Sequence, residues 1–303
     1  MTKQNTTQLP SEIKTNANEQ YRDRLFRLIF GGKDARSKRW LLSLYNALND
    51  TDYTDINDIS ITTIDNAIFI TMKNDLSFLI NSEMHLYEHQ STVNPNMPLR
   101  GFFYFSHLYQ AWFANQDFDL YGESLIKIPN PHYVVFYNGI RKQEEIRKFR
   151  LSDMYATEDK SGEFEWTATA ININYGHNES LQKKCKALYD YGVYINEIRK
   201  GVENKKSLDK AVDEALDYVI EQKLLEGFFK EHKAEVKMVS LTEFDQELYD
   251  RCRRREGAQE KAIEAATKLL KMKVVTPEQI AEAEDLPLEK VLELKAQLEV
   301  TKA

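Results

Sequence analysis

The sequence predicts an α/β protein: a mixed sheet flanked by helices, followed by a helical C-terminal region. Three observations predict it. β-prone stretches alternate with helical ones as far as about residue 175. A tight hairpin is signalled at Asn81-Ser82. From Ser180 onward the apolar spacing is helical.

Taken in order, residues 19–30 read as an amphipathic helix with Tyr21, Leu25, Phe26, Leu28, Ile29 and Phe30 on a broad apolar stripe, stopped by Gly31-Gly32. A second helix runs from about Ala35 to Leu48 and carries Trp40, Leu41, Leu42, Leu44 and Tyr45. Asn49 to Asp58 is a polar loop, and the β-branched run Ile59 to Thr71 is the strand preceding the hairpin. Thr92 to Pro98 is a loop. Leu99 to Ala114 is a helix so rich in Phe, Tyr and Trp that it reads as buried most of the way round. His132 to Tyr137 is a buried strand ended by Asn138-Gly139, and Phe164 to Tyr175 is a further strand. Leu181 to Lys200 and Leu208 to Glu226 are helices. In the tail, Gly257 to Lys271 is helical, Thr276-Pro277 has N-cap and N1 chemistry, and Pro287 opens a last helix to about Glu299. The expected organisation is a polar N-terminal tail over 1–18, a main domain over 19–255 and a helical tail over 256–303. That tail lacks the basic recognition helix of a DNA reader, and reads as a homo-oligomerisation or regulatory segment.

The hairpin carries the chemistry. With Asn81-Ser82 as a two-residue loop, Ile80 pairs with Glu83, Asp75 falls opposite Glu88 and Lys73 opposite Gln90. Alternation then points Lys73, Asp75, Glu88 and Gln90 to one face. Carboxylates opposed on neighbouring strands repel, so a proton, a cation or a divalent metal must neutralise them. Mg²⁺ takes one or two carboxylates with water and substrate phosphate, which makes the pair a candidate site for phosphodiester hydrolysis. The same residues also read as two unrelated acids on a solvated hairpin face. A one-residue slip in register would separate them.

Bulk properties bound the rest. The 303 residues are 42% hydrophobic and 29% charged, enough for a sizeable core. No run of 18 apolar residues marks a membrane span, and Met1 to Asn18 has no apolar signal segment. Cys185 and Cys252 imply no disulfide framework and suit a reducing, cytoplasmic compartment. The six His are scattered, so no structural zinc site is expected. A net charge of −7 weighs against nucleic-acid binding, although three clusters are basic: Arg22 to Arg39, including Arg24 and Arg27; Arg141 to Arg150; and Arg251 to Arg255. A nuclease needs the first or second beside the acid pair. Arg100, just after the site strand, either contacts substrate phosphate or forms a surface salt bridge.

Asp75 followed after twelve residues by Glu88-His89-Gln90 resembles the core motif of PD-(D/E)XK restriction-endonuclease-like nucleases, with Gln where Lys is usual. The runs Asp23-Arg24-Leu25-Phe26, Tyr87 to Thr92, Asn94 to Arg100, Tyr137-Asn138-Gly139 and Asn172 to Asn178 are similar, in the same order, to the Rpn family of recombination-promoting, transposase-like nucleases. The resemblance implies a Mg²⁺-dependent endonuclease acting on DNA, with Mn²⁺ as a substitute ion. Asp75 and Glu88 would be the metal ligands, joined by the backbone carbonyl of His89. Asp23 would approach from the opening helix as a further ligand, or serve there only as a helix N-terminal acid. Gln90 cannot act as the Lys would, and Lys73 could supply the missing charge. The alternative is a protein with this fold that binds DNA or another protein without cutting.

Overall fold

The structure is a computed structural model and describes residues 24–62, 76–159, 161–272 and 275–300. Its six described strands, β1 (Ser60–Ile61), β2 (Leu76–Ile80), β3 (Glu83–Gln90), β4 (Asn130–Tyr137), β5 (Ile146–Arg150) and β6 (Thr167–Asn172), form one mixed sheet in the order β1-β2-β3-β4-β6-β5. Helices flank it: α1 (Arg24–Phe30), α2 (Ala35–Asn49) and α3 (Met97–Phe113) come before or between strands. After the sheet follow α4 (Glu179–Lys184), α5 (Lys186–Glu203), α6 (Leu208–Glu221), the short α7 (Phe228–Glu231), α8 (Lys233–Met272), α9 (Pro277–Ala283) and α10 (Leu288–Val300).

The hairpin register is the expected one from Leu76↔Tyr87 to Ile80↔Glu83. Asn81 and Ser82 both adopt left-handed backbone, φ 47° and 61°, the paired geometry that lets a two-residue loop match strand twist. β3, β4 and β6 are parallel, and α3 supplies the crossover between the first two.

β3 sorts its side chains by parity. Met84 and Leu86 face α3 and share a core with Tyr104, Phe105, Leu108, Tyr133 and Val135. On the other face, Phe26 of α1 packs against His89, Phe136 and Tyr191, while Tyr45 of α2 meets Phe78 and His85. Gly101 lets α3 lie close on β4: a Cβ there would run into the Tyr133 ring.

Several expectations are corrected. The aromatic helix is not buried all round, because it lies on the sheet by one face only; Leu99, Phe102 and Phe103 are exposed. β5 falls inside what reads as a basic cluster, an edge strand whose only buried residue is Phe149. The first long C-terminal helix breaks at Cys185, which separates α4 from α5. The second ends at Glu221, ahead of left-handed residues Lys223, Leu225 and Glu226, where the buried carboxylate of Asp190 accepts from the Leu225 amide at 2.8 Å. Gly257 starts no helix but lies within the 40-residue α8. The strand expected over 59–71 is described only at Ser60–Ile61, and the rest lies outside the described residues.

The chain divides between Glu243 and Phe244, inside α8, into two compact units. The second has its own small core of Ala266, Ile280, Leu286 and Val291. There Thr276 forms a reciprocal capping box with Gln279, as the Thr-Pro pair suggests. Among the described residues no helix is long and apolar enough to cross a membrane.

Candidate active site

Glu88 belongs to the even residues of β3 and points towards α3, where only 2% of it is exposed. A carboxylate so placed is costly to bury, and Arg100 offsets it. Asn96 and Pro98 start α3 directly after the loop from β3, so its first turn brings Arg100 back over the strand end. Arg100 Nη2 donates to Glu88 Oε2 at 3.0 Å and to the Tyr104 hydroxyl at 3.2 Å. With the Gln90 amide turned so that both ends are satisfied, its oxygen accepts from Arg100 Nη1 at 2.8 Å and its nitrogen donates to the Thr92 carbonyl at 3.1 Å. One guanidinium thus bridges Glu88 and Gln90. Burial is the largest single influence and would lower its pKa, but the Glu88 carboxylate together with Tyr104 and Tyr133 outweighs it and holds Arg100 above its ordinary value, firmly charged.

The bridge sits at the carboxyl ends of the three parallel strands, where Gln90, Tyr137 and Asn172 lie side by side. A cleft opens there, lined among others by Gln90, Met97, Tyr137, Arg147 and Asn172. Open α/β sheets usually bind ligands at this edge. Arg147 of the second basic cluster reaches the cleft, its guanidinium resting 4.7 Å from the Phe149 ring centroid. Arg27 is half-buried on α1, a helix that packs through Phe26 on the sheet face opposite Glu88. Asp23, Lys73, Asp75 and the Arg24 side chain lie outside the described residues, and the last described rung beside the site is Leu76↔Tyr87.

On the opposite face, His89 is held by a buried polar network that sequence reading leaves unassigned. The Tyr191 hydroxyl lies 2.8 Å from His89 Nε2 and accepts from Asn138 Nδ2 at 2.7 Å. Arg199 donates to the Asn138 carbonyl and, at 2.6 Å, to Asn174 Oδ1. Asn174 in turn donates to the Gly139 carbonyl at 3.0 Å and to Asn172 Oδ1 at 2.9 Å. Gly139 is required by close approach, since a Cβ would meet the Ser91 carbonyl oxygen. The amide-rich stretches ending β4 and β6 therefore tie the strand ends together, with the His89 imidazole on the far side of the sheet from Glu88.

Comparison with protein-family models, with curated proteins and with solved structures finds no match for the chain.

One grouping overturns the expectation that the histidines are scattered. Glu83, His85 and His132 form a possible metal-binding triad: each brings a ligand atom to within 4.8 Å of the others. Parallel pairing sets His85 beside His132, their rings stacked at 4.6 Å, and Phe78 stacks on the other side of His85 at 5.1 Å. Tyr45 donates to Glu83 Oε2 at 3.0 Å. Burial pushes His85 down to about 4, despite a 3.0 Å contact with Glu83. The carboxyl of Glu83 is lowered although burial opposes it, because His85 and Tyr45 both hydrogen-bond to it.

Proposed function

We propose that the chain is a metal-dependent endonuclease acting on DNA, with a PD-(D/E)XK core and the Gln-containing motif of Rpn-like proteins. Glu88 carries this reading: a nearly buried carboxylate at the carboxyl end of a central strand, bridged to Gln90 by Arg100, beside an open cleft. The donors on this face, the Glu88 carboxylate and the Gln90 amide oxygen, are hard oxygens that suit Mg²⁺ or Mn²⁺ rather than a softer ion.

Continuing the hairpin register by one step would set Asp75 opposite Glu88, and those two carboxylates would hold the ion, with the His89 carbonyl and Asp23 as further oxygen donors. When bound, the ion supplies a polarised phosphoryl oxygen and a water of lowered pKa. The residues of the chain do the rest. Arg100 holds Glu88 and Gln90 in place and sets a positive charge beside the scissile phosphate. Gln90 orients the attacking water by hydrogen bonds and takes no proton from it. Lys73, expected opposite Gln90, brings the ammonium that the usual motif lysine would bring. Arg147, at the cleft, holds a flanking phosphate. The C-terminal helices, where α10 exposes Leu288 and Leu292, are the proposed self-association surface.

The test is conversion of supercoiled plasmid by the full chain with MgCl₂ or MnCl₂, against EDTA. Wild type is expected to nick or linearise the plasmid, and Asp75→Ala to slow this by about 100-fold or more, since even losing a residue that merely supports a metal ligand costs 10–100-fold. A second reading, a nuclease fold that binds DNA or a protein without cutting, is favoured by one observation: Arg100 already neutralises Glu88. Retarded DNA with no metal-dependent product would support it, and neither retardation nor product would leave only its protein-binding form.

A further inference from the structure

We propose that Glu83, His85 and His132 form a second metal site, selective for a transition-metal ion of the zinc class and independent of the Glu88 site. The two lie apart in the fold. Odd residues of β3 face away from α3, and Glu83 and His85 stand at the strand's start, whereas Glu88 and Gln90 face α3 at its end.

The donor set decides the class of ion. Two imidazole nitrogens and one carboxylate suit Zn²⁺ and its neighbours; Mg²⁺ prefers oxygen alone. Zn–N and Zn–O bonds of about 2.0–2.1 Å put tetrahedral ligand atoms roughly 3.3–3.4 Å apart. The distances here straddle that spacing: Glu83 Oε2 to His85 Nε2 is 3.0 Å, and Glu83 Oε1 to His132 Nε2 is 3.6 Å. The second is longer than a good hydrogen bond, and His132 Nε2 is a buried nitrogen without a hydrogen-bond partner. An ordinary structural His–Glu pair would not strand that nitrogen. An ion between the three side chains would satisfy it.

The surroundings are those of a built site. The His85 ring is fixed between Phe78 and His132, with Tyr45 edge-on at 5.0 Å. The Tyr45 hydroxyl orients the Glu83 carboxylate, the kind of supporting contact that tunes metal ligands. The side chains of His132 and Glu83 are 42% and 28% exposed, which gives an ion a way in and lets the His132 ring tilt onto it. A bound ion would clamp β3 to β4 and, through Tyr45, to α2. It would leave a fourth position for water, as three-ligand zinc sites do.

The experiment uses the full chain stripped with EDTA, then titrated with ZnCl₂ or MgCl₂ by calorimetry, with the thermal midpoint followed in parallel. We expect one tight zinc per chain, a raised Tm with zinc and none with magnesium at this site. His132→Ala, at a partly exposed position, should lose the tight zinc while keeping the wild-type circular dichroism spectrum. Tyr45→Phe should weaken zinc by roughly 10-fold or more. Co²⁺ bound to wild type should show the visible absorption of a tetrahedral N/O complex, absent in His132→Ala. No tight zinc in wild type, or tight zinc unchanged in a folded His132→Ala chain, would overturn the proposal. Because these readouts involve no DNA, they stand whether or not the chain cuts it.

Discussion

Arg100 Nη2 lies 3.0 Å from Glu88 Oε2, and that carboxylate is almost sealed from water while Arg100 is about a third exposed. The pair is asymmetric: the acid is buried, whereas the base keeps contact with water. Removing the acid leaves a cation that can still reach water; removing the base takes a charged partner from a buried carboxylate.

Arg100→Met should therefore destabilise the fold by about 3 kcal/mol, the lower part of the range for breaking a buried pair, because the guanidinium is partly hydrated already. Arg100→Met combined with Glu88→Gln should regain much of that loss. Urea unfolding of the two variants checks this; equal stabilities for Arg100→Met and wild type would show that Glu88 has other, sufficient support.

Tyr191→Phe deletes the hydroxyl shared by His89 and Asn138 and should cost about 1–3 kcal/mol, the usual range when buried polar atoms lose a partner. Hydrogen exchange should locate the loosening at the ends of β3 and β4. Uniform loss of protection across the sheet would contradict a local role for this network.

How much of this was legible in the residues differs from place to place. Asn81-Ser82 specified the hairpin register because Asn tolerates left-handed backbone and both are turn residues, so local chemistry alone set a non-local pairing. Arg100 is legible as a candidate from its place just after β3, but its bridge to Gln90 is not, because that depends on how α3 turns back over β3. The Glu83–His85–His132 group was not legible. It arises from parallel pairing across a helical crossover, whose register no local signal states. β5 was hidden because an edge strand protected by Arg and Lys looks in sequence like a solvated charge run. The alternating amides Asn172 and Asn174 were visible, yet their network with Arg199 required α5 to be in place.

Stability should also depend on pH through His85. Burial holds its folded pKa near 4, against an ordinary 6.5, so between those values the unfolded chain binds more protons than the folded one. The stabilisation is complete above about pH 6.5 and is lost as pH falls towards 4, by an amount on the order of 2 kcal/mol. Unfolding measured from pH 7 to 4 in EDTA should show this slope in wild type and a shallower one in His85→Phe. Parallel curves would place the acid sensitivity elsewhere.

Glu88→Gln offers the most direct trial of the nuclease reading. The amide keeps the size of the side chain and one acceptor oxygen for Arg100 but cannot bind a hard cation as a carboxylate does. With Mg²⁺ or Mn²⁺ present, we expect folded Glu88→Gln protein to cleave supercoiled DNA at least about 100-fold more slowly than wild type, and to bind it as well. Cleavage by Glu88→Gln at the wild-type rate, with wild-type cleavage persisting in EDTA, would contradict the proposal.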